Sequence, residues 1–255
     1  MILTIDIGNS NIVFSAFDED KIIFSSHMAS QIEIMDDQYA IQILGALNFY
    51  NVDKNSINGA IISSVVPQIT EKIKSAVSKL IIGKIMIVSP GLKTGLNIKI
   101  DSPSELGADF VCSSVFAKAN YPLPLIVIDM DTATKISVLD NDGNFIGGSI
   151  IPGIRIATDA LSKNTAQLPF VSLDKPSSII GKNTVDCMKS GIIYGTAAML
   201  DGMIKRYSHK LATENLTAIL TGVNAKIIMD FCEYKMIYDE NIITKGLKII
   251  YDKNI

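Results

Sequence analysis

The feature that most constrains the fold of this chain is an internal repeat. Residues 2–20, ILTIDIGNSNIVFSAFDED, align without a gap with residues 125–143, LIVIDMDTATKISVLDNDG. Each segment reads as an apolar strand ending in an aspartate (Asp6, Asp129), a small polar turn, a second strand, and an acidic hairpin turn before a third strand. Two such units at corresponding places indicate duplication of a three-stranded unit, and two unrelated hairpins are the alternative.

Helical and strand patterns alternate after each repeated unit. Strands are predicted at 57–66, 84–89 and 216–222, and helices at 36–50, 67–82, 102–121, 152–163, 184–211, 224–232 and 241–251. This order predicts an α/β fold of two mixed sheets covered by helices. The sequence YPLP at residues 121–124 interrupts the helical pattern, so we expect an N-terminal domain at 1–121 and a C-terminal domain at 122–255.

Composition excludes several classes of function. The chain has 255 residues, a formal net charge of -3 and 19% charged residues, so it lacks the basic surface typical of nucleic-acid binding. Its apolar runs are shorter than the roughly 20 residues of a membrane span, and its first residues resemble a strand rather than a signal peptide. We therefore expect a cytoplasmic protein with no nucleic-acid or membrane partner.

The cysteines and histidines are too dispersed for a zinc site or a Ser-His-Asp or Cys-His nucleophile. Cys112, Cys187 and Cys232 show no metal-binding spacing and are expected to be buried thiols, and His27 and His209 stand alone. Carboxylates and backbone groups must then carry any chemistry.

The polar turns suit phosphate. A turn after a buried strand exposes successive backbone N–H groups, and the aspartate that ends the strand can hold a hydrated Mg²⁺ bridging phosphates. In DIGNSN, residues 6–11, glycine allows close backbone approach and the Asn and Ser side chains offer neutral hydrogen bonds. The alternative is a plain Gly-Asn β-turn. Two such turns facing each other across a cleft would hold a nucleotide's phosphates from both sides.

Several further motifs carry a resemblance to a known family. The chain resembles the type III pantothenate kinases, of the actin-like ATPase and sugar-kinase superfamily, over nearly its whole length. The supporting motifs are DIGNSN at 6–11, SSVVP at 63–67, GAD at 107–109, DxxTAT at 129–134, GGSIIPGI at 147–154, TAQLP at 165–169, GKNTVDCMKSGIIYG at 181–195 and TG at 221–222. The resemblance implies two duplicated ribonuclease-H-like halves, each a mixed five-stranded sheet flanked by helices, with the active site in the cleft between them.

The resemblance also implies a reaction: ATP-dependent phosphorylation of pantothenate to 4′-phosphopantothenate, the first step of coenzyme A biosynthesis. Asp109 would be the general base that takes the proton from the pantothenate hydroxyl. Asp6 would lie near Mg²⁺, and Asp129 would bind a monovalent cation, K⁺ or NH₄⁺. The residues implied to contact ATP are Asp6, Ile7, Gly8, Asn9, Ser10, Asn11, Ile12, Val13 and Thr132.

The implied pantothenate site lies near a homodimer interface. Its residues would be Ile100, Gly107, Ala108, Asp109, Phe110 and Thr184. Thr184 has an alternative role as the N-cap of the long helix that follows it. For Asp109, the alternative is an ordinary carboxylate on a helix surface.

Five positions depart from the family pattern. Phe110 replaces the arginine of GADR, and Ile100 replaces a tyrosine that contacts pantothenate, so the acceptor side loses a guanidinium and a hydroxyl. The family's DFGTATT has become DMDTATK, which introduces Asp131 and Lys135, and its TGG has become TGV, with Val223. Asp131 and Lys135 could pair with each other, or Asp131 could add a ligand to a cation.

These departures leave two alternatives to an ordinary pantothenate kinase. One is a divergent paralog that phosphorylates a different acceptor hydroxyl. The other is a catalytically lapsed protein that binds nucleotide and has a regulatory role.

Overall fold

The repeated segment of the sequence becomes the centre of each of two sheets. The structure is a computed structural model that describes every residue from Met1 to Ile255. Its secondary structure comprises two five-stranded sheets and seven α-helices. None of the helices combines the length and the apolar character needed to cross a lipid bilayer.

The first sheet has the strand order β3-β2-β1-β4-β5. Its central strand β1 pairs antiparallel with β2 and parallel with β4, so the sheet is mixed. Buried apolar side chains of the sheet pack with those of α1 and α2, and Pro67 begins α2, where its missing N–H costs nothing. The elements are β1 (Ile2–Ile7), β2 (Asn11–Asp18), β3 (Lys21–Ala29), α1 (Asp36–Phe49), β4 (Gly59–Ser64), α2 (Pro67–Leu80) and β5 (Lys84–Ile87), with a short 3₁₀ helix at Lys54–Ser56.

The second sheet repeats this arrangement. Its order β10-β9-β6-β7-β8 places β6 at the centre, antiparallel to β7 and parallel to β9. A second apolar core joins this sheet to α5 and α6. The remaining elements of the chain are α3 (Ala108–Asn120), β6 (Leu125–Met130), β7 (Ala133–Leu139), β8 (Phe145–Pro152), α4 (Ile154–Lys163), α5 (Thr184–Lys210), β9 (Thr217–Thr221), α6 (Ala225–Met229), β10 (Ile237–Tyr238) and α7 (Ile242–Asp252), with a 3₁₀ helix at Pro103–Glu105. The predicted α/β class, with two mixed five-stranded sheets flanked by helices, is confirmed.

The two repeated turns differ in length by one residue. In the first sheet Asp6 lies opposite Val13, whereas in the second sheet Asp129 lies opposite Lys135. Three residues separate β1 from β2, and two separate β6 from β7. The gapless alignment therefore holds up to the turn and then fails, because pairing with the neighbouring strand sets the register beyond it.

The compact units of the structure do not follow one cut in the chain. The first unit contains Met1–Leu96, Asp101–Phe116 and Asn241–Ile255, and the second contains Asn97–Ile100 and Ala117–Glu240. That residues 1–121 and 122–255 are the two duplicated domains stays a prediction. Helix α7 nevertheless belongs to the first unit, where it packs on β1, β4 and β2.

Gly246 is expected to be essential for the packing of α7. A Cβ at this position would lie 1.9 Å from the backbone oxygen of Cys112, so Gly246→Ala must displace backbone. We expect Gly246→Ala to lower the free energy of unfolding by about 1–3 kcal/mol. Gly45 in α1 is the matched control, because nothing lies within 4 Å of its added Cβ. Gly45→Ala should raise that free energy by about 0.5–1 kcal/mol. Urea denaturation measures both, and equal effects would contradict the packing described for α7.

Candidate functional site

The first polar turn is held in a tight conformation by backbone contacts. The N–H of Gly8 donates to the carbonyl of Asn11 at 2.9 Å, and a Cβ on Gly8 would lie 3.0 Å from that same oxygen. The hydroxyl of Ser30 donates to the carbonyl of Gly8 at 2.6 Å. Asn9, Ser10 and Asn11 are exposed. Neighbouring strands thus fix the backbone of the turn, while its polar side chains stay at the surface.

The predicted ATP contacts of the first unit lie along β1, this turn and β2. Ile7 and Ile12 are buried and anchor the two strands, whereas Asp6 and Val13 are half-buried. Asp6 stands directly opposite Ser63 of the parallel strand β4. The carboxylate therefore lies at the end of a central strand, next to the turn. Contact of these residues with phosphate stays a prediction.

Asp6 and Asp109 act electrostatically on one buried thiol. The pKa of Cys112 is raised well above its ordinary value, chiefly by complete burial, and then by the negative charges of Asp6 and Asp109. Cys112 lies in α3, one turn after Asp109. The first unit thereby brings together two carboxylates that are 103 positions apart in the chain, from 6 to 109.

Asp109 is a buried carboxylate in the first turn of α3. It is only 7% exposed, so the alternative of a helix-surface carboxylate is wrong. Its Oδ1 accepts a hydrogen bond from the N–H of Phe110 at 2.9 Å. A Cβ on Gly107 would lie 2.5 Å from this oxygen, so the glycine leaves room for the carboxylate. The helix N-terminus also favours the negative charge.

The other predicted acceptor residues are distributed over several segments. Gly107 and Ala108 directly precede Asp109, and Phe110, which follows it, is half-buried. Ile100 is half-buried in a bend and groups with the second unit. Their contact with a substrate stays a prediction.

Thr184 is the first residue of α5 and is exposed. The N-cap of this helix is Asn183, whose side chain accepts a hydrogen bond from the N–H of Asp186 at 2.9 Å. The alternative assignment of Thr184 as the N-cap is therefore wrong. Asn183 has the extended backbone that an N-cap requires, so the helix begins at Thr184, one residue earlier than that assignment implies.

A largely buried ion pair between β6 and β7 lies beside the second polar turn. Asp129, at the end of β6, is 6% exposed, and its Oδ2 lies 2.8 Å from the Nζ of Lys135. The two residues are direct cross-strand partners of β6 and β7. Thr132 lies in the turn between these strands.

Asp131 contacts the segment that follows β9. Its Oδ1 accepts a hydrogen bond from the N–H of Val223 at 2.9 Å. Gly222 has a φ of +96°, and a Cβ there would lie 2.6 Å from the carbonyl carbon of Met130. The side-chain amide of Asn224 donates to the carbonyl of Met130 at 3.1 Å. Asp131 and Val223, two departures from the family pattern, thus contact each other.

Each of the two charged side chains, Asp131 and Lys135, has a partner other than the other one. Asp131 binds a backbone N–H, and Lys135 binds Asp129. Sequence reasoning did not assign Asn224 to the site. Asn224 lies three residues after Thr221, the first residue of the TG motif, and this position in the sequence could have indicated it.

The cysteines follow the prediction only in part. Cys112 is buried as expected, but Cys232 is half-buried and Cys187 is exposed. Cys187 lies in the first turns of α5, on a side of the helix that the apolar core does not cover. The expectation of a buried thiol is wrong for Cys187.

Comparison with known proteins identifies both a family and a fold. A family model described as type III pantothenate kinase matches residues 2–206. A solved structure from Campylobacter jejuni, described as a Baf family transcriptional activator, is 21% identical, with a TM-score of 0.61 and coverage of 99% of this chain and 98% of that one.

Two more distant structures have the same fold. A protein from Sinorhizobium meliloti described as a 2-dehydro-3-deoxygalactonokinase is 13% identical, with a TM-score of 0.59 and coverage of 99% of both chains. Component A of the (R)-2-hydroxyglutaryl-CoA dehydratase of Acidaminococcus fermentans is also 13% identical, with a TM-score of 0.57 and coverage of 98% and 96%. The fold is that of the actin-like ATPases and sugar kinases.

The environment of Cys112 predicts a slow reaction with alkylating agents. At pH 9.0, the ordinary pKa of a thiol, half of an exposed thiol is ionised, whereas Cys112, whose pKa is higher, stays protonated. Because the thiolate is the nucleophile, we expect iodoacetamide to modify Cys112 at least about tenfold more slowly than exposed Cys187. Mass spectrometry of the digested protein measures both rates. Urea-unfolded protein is the control, in which the two thiols should react alike. Equal rates in the folded protein would contradict the described burial.

Proposed function

Since the chain belongs to the type III pantothenate kinase family, we propose that it transfers the γ-phosphoryl group of ATP to the hydroxyl of pantothenate. The product would be 4′-phosphopantothenate, and the reaction would open coenzyme A biosynthesis. The observation that carries the proposal is the buried carboxylate of Asp109, oriented at a helix N-terminus and acting on the same thiol as Asp6.

Asp109 has the properties of a general base for a hydroxyl. The hydrogen bond from Phe110 N–H orients one carboxylate oxygen, and burial limits competition from bulk water. Phosphoryl transfer requires mainly in-line positioning and charge neutralisation, with one carboxylate to orient the attacking oxygen. In this proposal Asp109 accepts the proton as the acceptor oxygen attacks the γ-phosphorus, the bond from that phosphorus to the β,γ-bridging oxygen breaks, and ADP leaves.

Asp6 and the turn after it would bind the phosphates. The exposed turn residues offer hydrogen-bond donors, and Asp6 at the strand end supplies a carboxylate. A Mg²⁺ bound with ATP usually keeps several waters and takes one or two carboxylates together with phosphate oxygens, and Asp6 fits that pattern. When bound, the ion would neutralise phosphate charge.

The second unit would contribute Thr132 to ATP binding, and Asp131 beside it modifies that contribution. In the family pattern a glycine precedes this threonine, whereas here a carboxylate is fixed at the turn by Val223 N–H. A fixed negative charge near the phosphates weakens their binding. We therefore propose weaker ATP binding than the family pattern alone implies.

Phe110 favours one alternative acceptor. It stands beside Asp109, where the family places an arginine, and it is half-buried. A phenyl ring cannot pair with the carboxylate of pantothenate as a guanidinium can. A related hydroxyl compound that lacks the carboxylate is thus the second candidate acceptor for the same phosphoryl transfer.

The deciding experiment is an assay of the purified protein with ATP and Mg²⁺, in the presence of K⁺. Pantothenate would be compared with pantetheine and N-alkyl pantothenamides, which carry the same hydroxyl without the carboxylate. Product formation is followed by mass spectrometry, and ATP binding is measured separately by calorimetry. Turnover only on the uncharged compounds would favour the second candidate. ATP binding without turnover on any acceptor would leave the nucleotide-binding regulatory alternative, and no ATP binding would overturn both kinase proposals.

Asp109→Asn is expected to lower kcat about 10²–10⁴-fold, because the amide cannot accept the proton. The Kd for ATP should stay within about twofold, since the loss concerns the chemical step. Asp18→Asn is the matched control, because Asp18 is an exposed aspartate of the same unit at the end of β2. A wild-type kcat in Asp109→Asn would contradict the assigned role.

Asp131→Asn is expected to tighten ATP binding. The amide oxygen can still accept the hydrogen bond from Val223 N–H, so the substitution removes the charge and keeps the contact. The Kd for Mg-ATP should fall about threefold to tenfold at low salt, and the difference should shrink as salt is added. Calorimetry measures both. Asp142→Asn, at the exposed hairpin between β7 and β8, is the control and should leave the Kd unchanged.

A further inference from the structure

The ion pair at the end of β6 bears on the cation that the kinase family uses. Lys135 Nζ lies 2.8 Å from Asp129 Oδ2, and the side chains of Lys135 and Asp129 are only 18% and 8% exposed. Antiparallel pairing of β6 and β7 puts the two residues directly opposite each other. Directly paired residues of antiparallel strands project to the same face of the sheet. The register of β6 and β7 therefore fixes the position of the ammonium next to Asp129.

The corresponding place in the first unit has no such charge. Opposite Asp6 stands Val13, an apolar residue. The shorter second turn brings Lys135 into register with Asp129, although the gapless repeat aligns Lys135 with Ile12. The residue directly opposite the strand-end aspartate is therefore apolar in the first unit and a lysine in the second.

A lysine ammonium matches the cation that the family would place at Asp129. Like K⁺ and NH₄⁺ it carries one positive charge, and like NH₄⁺ it donates several hydrogen bonds. Because it is tethered, it competes with dissolved ions as an intramolecular ligand at high effective concentration. A second cation at the same carboxylate oxygen would meet like-charge repulsion in a largely buried place. The residues present therefore do not fit an exchangeable monovalent cation.

We propose that the Lys135 ammonium is the resident monovalent cation of the Asp129 site, so that this protein neither binds nor requires K⁺ or NH₄⁺ there. The inference rests on the proposed function, because only the kinase family implies a monovalent cation at Asp129. Lys135 is then a positioning residue: its ammonium neutralises the charge of Asp129 and holds that carboxylate in place at the end of β6.

The test measures cation binding without relying on kinase activity. Thermal unfolding is recorded without nucleotide in KCl, NH₄Cl, NaCl and choline chloride at equal ionic strength. The wild-type Tm should vary by less than about 1 °C among these salts. Lys135→Thr restores the residue of the family pattern and opens the carboxylate, so K⁺ or NH₄⁺ should raise its Tm selectively and saturably by about 2–4 °C.

Two controls separate this effect from general charge changes. The double variant Asp129→Asn with Lys135→Thr removes the anionic ligand and should lose the selective response to K⁺. Lys163→Thr removes a lysine of the same unit whose side chain is 64% exposed, and it should respond to salts as the wild type does. A ²⁰⁵Tl NMR signal from bound Tl⁺, a K⁺ surrogate, is expected for Lys135→Thr and not for the wild type.

Two results would overturn the proposal. One is selective stabilisation of the wild-type protein by K⁺ or NH₄⁺, and the other is a folded Lys135→Thr variant without a selective response. If that variant does not fold, Lys135→Gln is tested in its place, and the wild-type result decides in any case. Turnover of the wild type should be equal in K⁺ and choline. An inactive wild type with the expected cation responses would refute the proposed function while leaving the assignment of Lys135 in place.

Discussion

Each sheet depends on one central strand that is hydrogen-bonded on both sides. β1 and β6 each pair antiparallel with the next strand in the chain and parallel with a strand that returns after a crossover. Such a strand has no free edge, and every residue of β6 is buried. Its carboxyl end is then a natural place for a polar side chain, because the chain must turn there toward water. Asp6 and Asp129 occupy these two ends.

A carboxylate at the end of a buried strand needs a compensating charge or donor, since desolvation of an isolated charge costs far more than folding can supply. The two units meet this need differently. Asp129 has an ammonium of its own chain at 2.8 Å, whereas Val13 opposite Asp6 offers none. The position opposite the strand-end aspartate is therefore charged in one half of the duplicated fold and apolar in the other.

The family's glycine positions around the second turn have changed together. Asp131 fills one of them with a carboxylate, and Val223 fills another and presents its N–H to that carboxylate at 2.9 Å. Gly222, directly before Val223, is retained: its positive φ is rarely adopted by other residues, and the proximity of Met130 leaves no space for a Cβ. The two substitutions therefore form a hydrogen bond with each other, in addition to replacing two glycines of the family pattern.

Most of the fold could be predicted from the sequence, because the repeat and the apolar periodicity act locally. Helix α2 begins at Pro67 as its pattern predicts, and the strand-turn-strand units form as read. The two-residue strand β10 went unpredicted because it is too short for any periodicity. A helix N-cap, the alternative role of Thr184, belongs instead to Asn183, whose side chain accepts the hydrogen bond.

The sequence by itself determined the α/β class, the duplicated units and the aspartates at the strand ends, because these follow from local patterns of apolar and polar residues. Only the tertiary structure decided which residue stands opposite Asp129, since register depends on pairing between strands and shifts with a single turn residue. It also decided that α7 packs in the first unit and that Asp109 and Asp6 act on one thiol. These relations join residues far apart in the chain, and no local pattern carries information about them.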